Sequence, residues 1–375
     1  MTVLLLTVAG IVLYLLYERI RIERWRKNIQ QTIAVTGTRG KSSVVRMLAS
    51  VLRADGRSVM AKTTGSSPRL LWPDGTETEI ARRGPATILE QKDLLRRASA
   101  SNVDCLIAEF MSINPENHFA EAQQILRPEI VAVTNCWPDH IDALGRSEEE
   151  ITATLCLDIP ESSIVFVPVR STSPIFESSV DAVGGKLVVV EETAHESIGQ
   201  FDFNSVGALF RENIALVYGI AKHLDIEDDR IAAGLESTNS DIGAFSMKTL
   251  HVGEPEKRLV VVNAFAANDP TSTLRILASA REMLPSVSEI VGLMCLRADR
   301  ADRTVQWLET LRSDAPPHFS KLYVTGGHAK PLARKLAIAR ALEQRSARGI
   351  MDAIADDVED DTVIFGFGNF FGMGR

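Results

Sequence analysis

The chain has 375 residues, enough for two or three domains with substantial buried cores. Its composition, 45% hydrophobic and 24% charged, is that of a globular protein and not of a disordered or fibrous one. A net charge of −8 with no long basic stripe argues against nucleic acid as a partner. Four scattered cysteines without a Cys-x-x-Cys pair read as small hydrophobes in a reducing compartment, not as a disulfide or metal framework.

In chain order, Val3 to Leu16 is almost wholly apolar, Tyr14 and Tyr17 sit near its end, and Arg19, Arg21, Arg24, Arg26 and Lys27 follow. Residues 1–17 are long enough to cross a thin bilayer, and 18–30 read as a basic juxtamembrane linker. A cleaved signal peptide would carry its charges before the apolar run. Here they come after it, which predicts a single-pass anchor in the cell membrane with the rest of the chain cytoplasmic.

Next comes Ile33-Ala34-Val35-Thr36-Gly37-Thr38-Arg39-Gly40-Lys41-Ser42-Ser43: a buried strand, a glycine loop, and a helix opening at Lys41 with Val44, Val45, Leu48, Val51 and Leu52 on one face. That order makes a phosphate site, because loop and helix N–H groups and the helix dipole converge on one anion. Lys41 would reach the terminal phosphates and the Ser42 hydroxyl would bind Mg2+. The match to the general phosphate-loop pattern is incomplete, since Val35 stands where the first glycine should be.

Further along, 58–62 predicts a short strand ending in the polar loop 63–67, and 70–80 a hairpin around Pro73-Asp74-Gly75. Residues 88–100 have helical spacing. Cys105-Leu106-Ile107-Ala108 is a buried strand that delivers Glu109 at its end, and 130–134 is another that delivers Asn135 and then Asp139-His140-Ile141-Asp142. Two more strands, 164–169 and 187–190, complete a mainly parallel α/β sheet, and ligands of such sheets bind at the carboxyl ends of the strands. A strand-end carboxylate such as Glu109 is a natural Mg2+ ligand beside a phosphate loop; the His140 group reads equally as a metal or phosphate site and as structure.

A helix over 211–224 and a looser segment at 237–243 place a domain boundary near 240, giving a P-loop domain over 31–240 and a smaller open α/β domain over 241–375. In the latter, strands are expected at 259–262, 290–293, 321–324 and 362–365, and helices at 271–283, at 304–311 and from Pro331. Asn268-Asp269-Pro270 reads as a helix cap, Gly366-Phe367-Gly368-Asn369 as a tight loop, and Arg297, Arg300 and Arg303 either as a solvated face or as donors to a carboxylate.

Taken together, the loop at Val35–Ser43, Glu109 and Asn135…Asp139-His140-Ile141-Asp142 resemble the muramyl-peptide ligases and folylpolyglutamate synthases, whose loop also lacks the first glycine. Within that superfamily, Lys62-Thr63-Thr64-Gly65, Asn114-Pro115, Asn263 to Asp269, Cys295 to Thr304 and Gly366-Phe367-Gly368-Asn369 resemble the ligase subunit of poly-γ-glutamate capsule synthases. The resemblance implies an ATP- and Mg2+-dependent amide ligase that joins glutamate to a growing poly-γ-glutamate chain through an acyl phosphate, inside a membrane assembly with other subunits. It implies catalytic roles for Lys41, Glu109 and His140, and metal contacts from Ser42, Glu109 and His140. Nucleotide contacts would come from Gly37, Thr38, Arg39, Gly40, Lys41, Ser42, Ser43, Asn213 and Lys248, and substrate contacts from Thr64, Asn268, Asp269, Arg297, Arg300 and Arg303. One departure stands out: the muramyl ligases carry a carbamylated lysine downstream of the histidine, and this chain has no lysine between His140 and Lys186. Two alternatives share many of these features, a ligase that glutamylates a folate-like substrate and a P-loop NTPase that energises a membrane assembly without making amides.

Overall fold

The structure, a computed structural model, describes residues 1–65, 68–82, 84–137, 143–145, 147–198, 208–238, 246–253, 256–265, 270–284, 289–313, 317–344 and 346–368. The chain divides into two compact units, one made of Met1–Phe201 with Glu212–Ser240 and the other of Asp202–Arg211 with Asp241–Arg375.

The first unit opens with α1 (Thr2–Lys27), 26 residues long and apolar enough in its first part to cross a membrane. Within the 18–30 segment read as a linker, residues 18–27 continue this helix. No proline or glycine interrupts Tyr17 to Lys27, so the helix has no reason to end at the change of polarity. The two parts differ in surroundings. Val3 to Tyr17 carries its large apolar side chains exposed, whereas Ile22 is buried and Trp25 packs against a core cluster that includes Leu94, Leu95 and Ala98 of α3 (Leu89–Ala100). An ion pair between Glu18 and Lys92, 2.7 Å long, joins the same two helices.

The sheet of this unit has eight strands: β1 (Gln31–Thr36), β2 (Val59–Lys62), β3 (Arg69–Leu71), β4 (Glu77–Glu79), β5 (Cys105–Glu109), β6 (Ile130–Val133), β7 (Ile164–Pro168) and β8 (Lys186–Val190). Their order is β4-β3-β2-β5-β1-β6-β7-β8. Every pair is parallel except the predicted hairpin, where β3 runs antiparallel to both β2 and β4. The central strands β1, β5 and β6 are buried on both faces, which explains their unbroken apolar runs. Helix α2 (Lys41–Ala54) lays Val44, Val45, Met47, Leu48, Val51 and Leu52 into the core, at about 1.5–3 kcal/mol for each large aliphatic side chain.

The second unit has six strands, β9 (Ser246–Val252), β10 (Lys257–Asn263), β11 (Ile290–Leu296), β12 (Leu322–Gly326), β13 (Ala339–Ala341) and β14 (Thr362–Gly368), in the order β13-β12-β11-β14-β10-β9. All pairs are parallel except β9 with β10. Three elements here have no counterpart in the sequence reading: the edge strands β9 and β13 and the helix Ala347–Ala355. An edge strand half-exposed to solvent lacks the apolar run of a central one. The helix expected from Pro331 is only the single turn Ala329–Ala333. Gly366-Phe367-Gly368 is strand and not loop. Phe365 and Phe367 are buried among Phe319 and Trp307, with the Trp307 and Phe367 rings 4.7 Å apart, and this packing carries β14 through the glycines. Pro270 does begin its helix, Pro270–Met283, as the cap reading requires; Asn268, Asp269 and Asn369 lie outside the described residues.

Candidate nucleotide site

Parallel register brings three strand ends to one edge of the first sheet. Val35 pairs with Glu109 across β1 and β5, and Thr36 with Val133 across β1 and β6. The loop after Thr36, the carboxylate of Glu109 and the side chain of Asn135 therefore meet by construction. Val35 is a fully buried member of β1, so the loop begins at Gly37 and the absent first glycine falls within the strand.

The loop is tightly held. Gly37 has φ +115°, and a Cβ there would come within 2.3 Å of Thr134 Oγ1, so no other residue fits without displacement. Asn135 grips the following residues from the neighbouring strand end. Its Oδ1 accepts from Thr38 Oγ1 at 2.7 Å and from the Arg39 N–H at 3.2 Å, and its Nδ2 donates to the Arg39 carbonyl at 3.0 Å. The Thr38 N–H also donates to the Asn135 carbonyl at 3.0 Å. Gly40, in the left-handed conformation, precedes the first turn of α2, whose N–H groups have no partner within the helix. Asn213, in the helix Ala208–His223, lies against it: a Cβ on Gly40 would come within 2.7 Å of the Asn213 amide nitrogen.

Lys41 Nζ turns back over the loop and donates to the Gly37 carbonyl at 2.6 Å. Ser42 Oγ donates to Glu109 Oε2 at 2.7 Å, and the Thr64 N–H donates to the same oxygen at 2.8 Å. Thr64 thus contributes its backbone to hold Glu109, which is nearly buried. A hydroxyl beside a carboxylate is the oxygen donor set that a hard divalent cation takes, so Ser42 and Glu109 fit such an ion.

A buried polar layer supports this edge from behind. Gln91 donates to the Glu109 carbonyl at 3.0 Å and to Glu121, which is itself fully buried and accepts from the N–H groups of Met111 and Ser112. Burial raises the pKa of Glu121, against the pull of these donors. Lys62, buried at the end of β2, pairs with Glu90 at 3.1 Å; burial lowers its pKa although Glu90 opposes that.

The remaining residues named from the sequence divide by unit. Gly37 to Ser43, Thr64, Glu109 and Asn213 are brought together in the first unit. Lys248 lies on β9 of the second, opposite Val261. Arg297 there makes a two-pronged pair with its near neighbour Asp299, at 2.8 and 2.6 Å, Arg300 caps the helix Ala301–Leu311, and Arg303 donates to Gln306 at 3.1 Å. His140, with Asp139 and Asp142, lies outside the described residues, as do Asn268 and Asp269. Sequence reasoning missed the grip of Asn135 on the loop, and it missed His118 and Asp158 entirely. His118 and Asp158 are buried, 40 positions apart, and hydrogen-bonded beneath the loop. No periodic signal marks either one.

Comparison with known proteins shows what the chain is similar to. Residues 35–205 match the Mur ligase middle domain, and residues 249–375 match the C-terminal domain of poly-gamma-glutamate synthase CapB. The chain is 27% identical to the PGA synthase CapB of Bacillus subtilis (strain 168) over 365 residues, covering 93% of this chain and 90% of that one. It is 27% identical over 302 residues to the capsule biosynthesis protein CapB of Bacillus anthracis, covering 79% of this chain and 64% of that one. In fold it is similar to a bifunctional folylpolyglutamate synthase/dihydrofolate synthase from Yersinia pestis, with a TM-score of 0.67, 16% identity, and coverage of 94% of this chain and 90% of that one. Two adjoining domain matches and a relative aligned along nearly its whole length make the chain similar to the poly-γ-glutamate synthases, with a Mur-ligase-like middle domain.

Proposed function

We propose that this protein is an ATP-dependent ligase that joins glutamate in γ-linkage to a growing poly-γ-glutamate chain and releases ADP and phosphate. The observation that carries the reading is the strand-end edge of the first sheet, where a clamped glycine loop, Lys41 and the Ser42–Glu109 pair converge. The relatives supply the substrate: one is a PGA synthase and another a capsule biosynthesis protein. The Yersinia pestis neighbour was solved with AMPPNP and a manganese ion.

The chemistry follows from the groups present. Loop N–H groups and the first turn of α2 bind the β- and γ-phosphates, and Lys41 swings from the Gly37 carbonyl to the γ-oxygens, where negative charge grows during transfer. A carboxylate oxygen of the acceptor attacks the γ-phosphorus, the bond to the β-phosphate oxygen breaks, and ADP leaves. The amine of the incoming glutamate then attacks the acyl carbon, loses its proton, and expels phosphate to leave an amide. Mg2+, held by Ser42 and Glu109 with His140, would supply charge neutralisation at the transferring phosphate. Gly37, Thr38, Arg39, Gly40 and Ser43 shape the phosphate cradle and Asn213 contacts the adenine side; Lys248, on the second unit, is a further candidate nucleotide contact. Thr64 on the first unit, and Asn268, Asp269, Arg297, Arg300 and Arg303 on the second, are the candidate substrate contacts, the arginines being suited to two-pronged contacts with carboxylates.

The same reading divides the chain into an anchor at 1–17, a P-loop domain over 31–240 and a C-terminal domain over 241–375. The exposed apolar half of α1 anchors the protein in the cell membrane as a single span, with the basic residues after it keeping the catalytic part in the cytoplasm beside partner subunits. Membranes containing the full chain, supplied with ATP, Mg2+ and a panel of amino acids, release ADP with glutamate and yield glutamate oligomers by mass spectrometry; ADP release that is independent of glutamate, with no amide product, refutes the ligase. Removing residues 2–17 moves the protein into the soluble fraction without lowering its melting temperature. Removing residues 2–27 instead uncovers Leu94, Leu95 and Ala98 and lowers stability by on the order of 2–4 kcal/mol.

A further inference from the structure

Beneath the phosphate loop lies a three-residue relay that the reaction scheme above does not use. Thr36, the last residue of β1 and the one before Gly37, donates its hydroxyl to Asp158 Oδ2 at 2.5 Å. The other oxygen, Asp158 Oδ1, is 2.9 Å from His118 Nδ1. Thr36, Asp158 and His118 are 1%, 0% and 2% exposed, so the relay is sealed from solvent. The far nitrogen of the ring, His118 Nε2, is buried with no hydrogen-bond partner. A fully buried carboxylate is expensive unless a positive partner stays with it.

We propose that His118 is a positioning residue that senses protons: through Asp158 it fixes the Thr36 hydroxyl at the root of the phosphate loop, and its charge state sets how strongly the loop binds the polyphosphate of the nucleotide. This rests on the nucleotide reading of the loop. With the ring protonated, Asp158 is neutralised in place and the loop presents its N–H groups and Lys41 to phosphate undiminished. With the ring neutral, Nδ1–H still donates, but Asp158 stands as a net negative charge directly under the loop, opposing the incoming phosphates and drawing Lys41 inward.

Burial and three charged groups act on the ring. Burial disfavours its protonated form, Asp158 favours it by charge and by hydrogen bond, Glu121 on the following helical turn adds to that, and Lys41 opposes it; the outcome is a pKa above the ordinary histidine value of 6.5. A raised folded-state pKa contributes stability that is fully present below the unfolded value and disappears as pH rises through the folded one. Nucleotide affinity follows the same direction.

The test uses the full chain in detergent, ADP as the probe, and pH between about 5.5 and 9, the range over which a histidine changes charge. Wild-type affinity falls by about 3- to 10-fold as pH rises through the His118 pKa, the scale of one unit charge placed roughly a loop's width away in a protein interior. H118Q keeps a donor to Asp158 but cannot titrate, and its affinity is flat across that window. D158N, which removes the main group favouring the protonated ring, moves the inflection to lower pH. Histidine ring resonances, assigned by their absence in H118Q, report the titration directly and need no activity. An H118Q profile that keeps the wild-type inflection overturns the proposal, as does a His118 ring that does not titrate in the window. Failure of the wild type to bind ADP at any pH sinks the nucleotide reading instead, so the two failures are separable.

Discussion

Both units end their parallel strands in glycine-containing segments, yet among the described residues only one of these edges has the makings of a phosphate site. In the first unit Gly37 sits between Thr134 and Asn135, and its tight packing frees the chain to present Lys41 and Ser42 beside Glu109. In the second unit Gly326 has φ +87°, and a Cβ there would meet the Leu296 carbonyl at 2.0 Å. That close approach only joins β12 to β11, and the charged groups just beyond are turned on one another, Arg297 on Asp299 and His328 on the Ala298 carbonyl. A strand-end glycine therefore marks close backbone approach in either place. What separates the two edges is whether the polar groups that follow face a common point or each other.

Five substitutions test that contrast. The largest effect is expected from K41A, which lowers ATP turnover by about 10²–10³-fold or more while circular dichroism stays that of the folded protein. Normal turnover would remove the loop from the mechanism. E109Q follows, with a loss of about 10–100-fold that added Mg2+ partly restores; an unchanged Mg2+ requirement would detach Glu109 from the metal. G37A and G326A each cost about 1–3 kcal/mol in thermal unfolding, since both force a side chain into a left-handed backbone with no room for it. They part in ADP affinity, which G37A loses and G326A keeps. If G326A also abolishes ADP binding, the contrast between the two edges collapses. The smallest effect is that of R297A, which leaves the melting temperature unchanged because its pair with Asp299 is solvent-exposed. Its readout is the KM for the glutamate oligomer, which rises if the guanidinium exchanges Asp299 for a substrate carboxylate.

Much of the fold was legible because its signals are local. Cys105–Glu109 and Ile130–Val133 are short apolar runs bounded by polar residues, and the hairpin at Pro73-Asp74-Gly75 carries its own turn chemistry. The edge strand β9 escaped because half its residues face solvent and mix polar with apolar types. The helical continuation of α1 past Tyr17 escaped for a related reason: a change of polarity marks where a medium ends, not where a helix does.

The candidate site divides in the same way. The strand, glycine loop and helix opening at Lys41 are contiguous, so the sequence by itself determined that a strand–loop–helix unit stands there and that carboxylate and asparagine follow at later strand ends. Only the tertiary structure decided how these parts engage. Parallel register set Val35 beside Glu109, bringing Ser42 within 2.7 Å of a carboxylate 67 positions away. It laid Asn135 across the backbone of Thr38 and Arg39, and it sealed His118 against Asp158 beneath Thr36. Hydrogen bonds between residues so far apart in the chain leave no periodicity to read, because their partners are chosen by strand order and burial and not by spacing along the sequence.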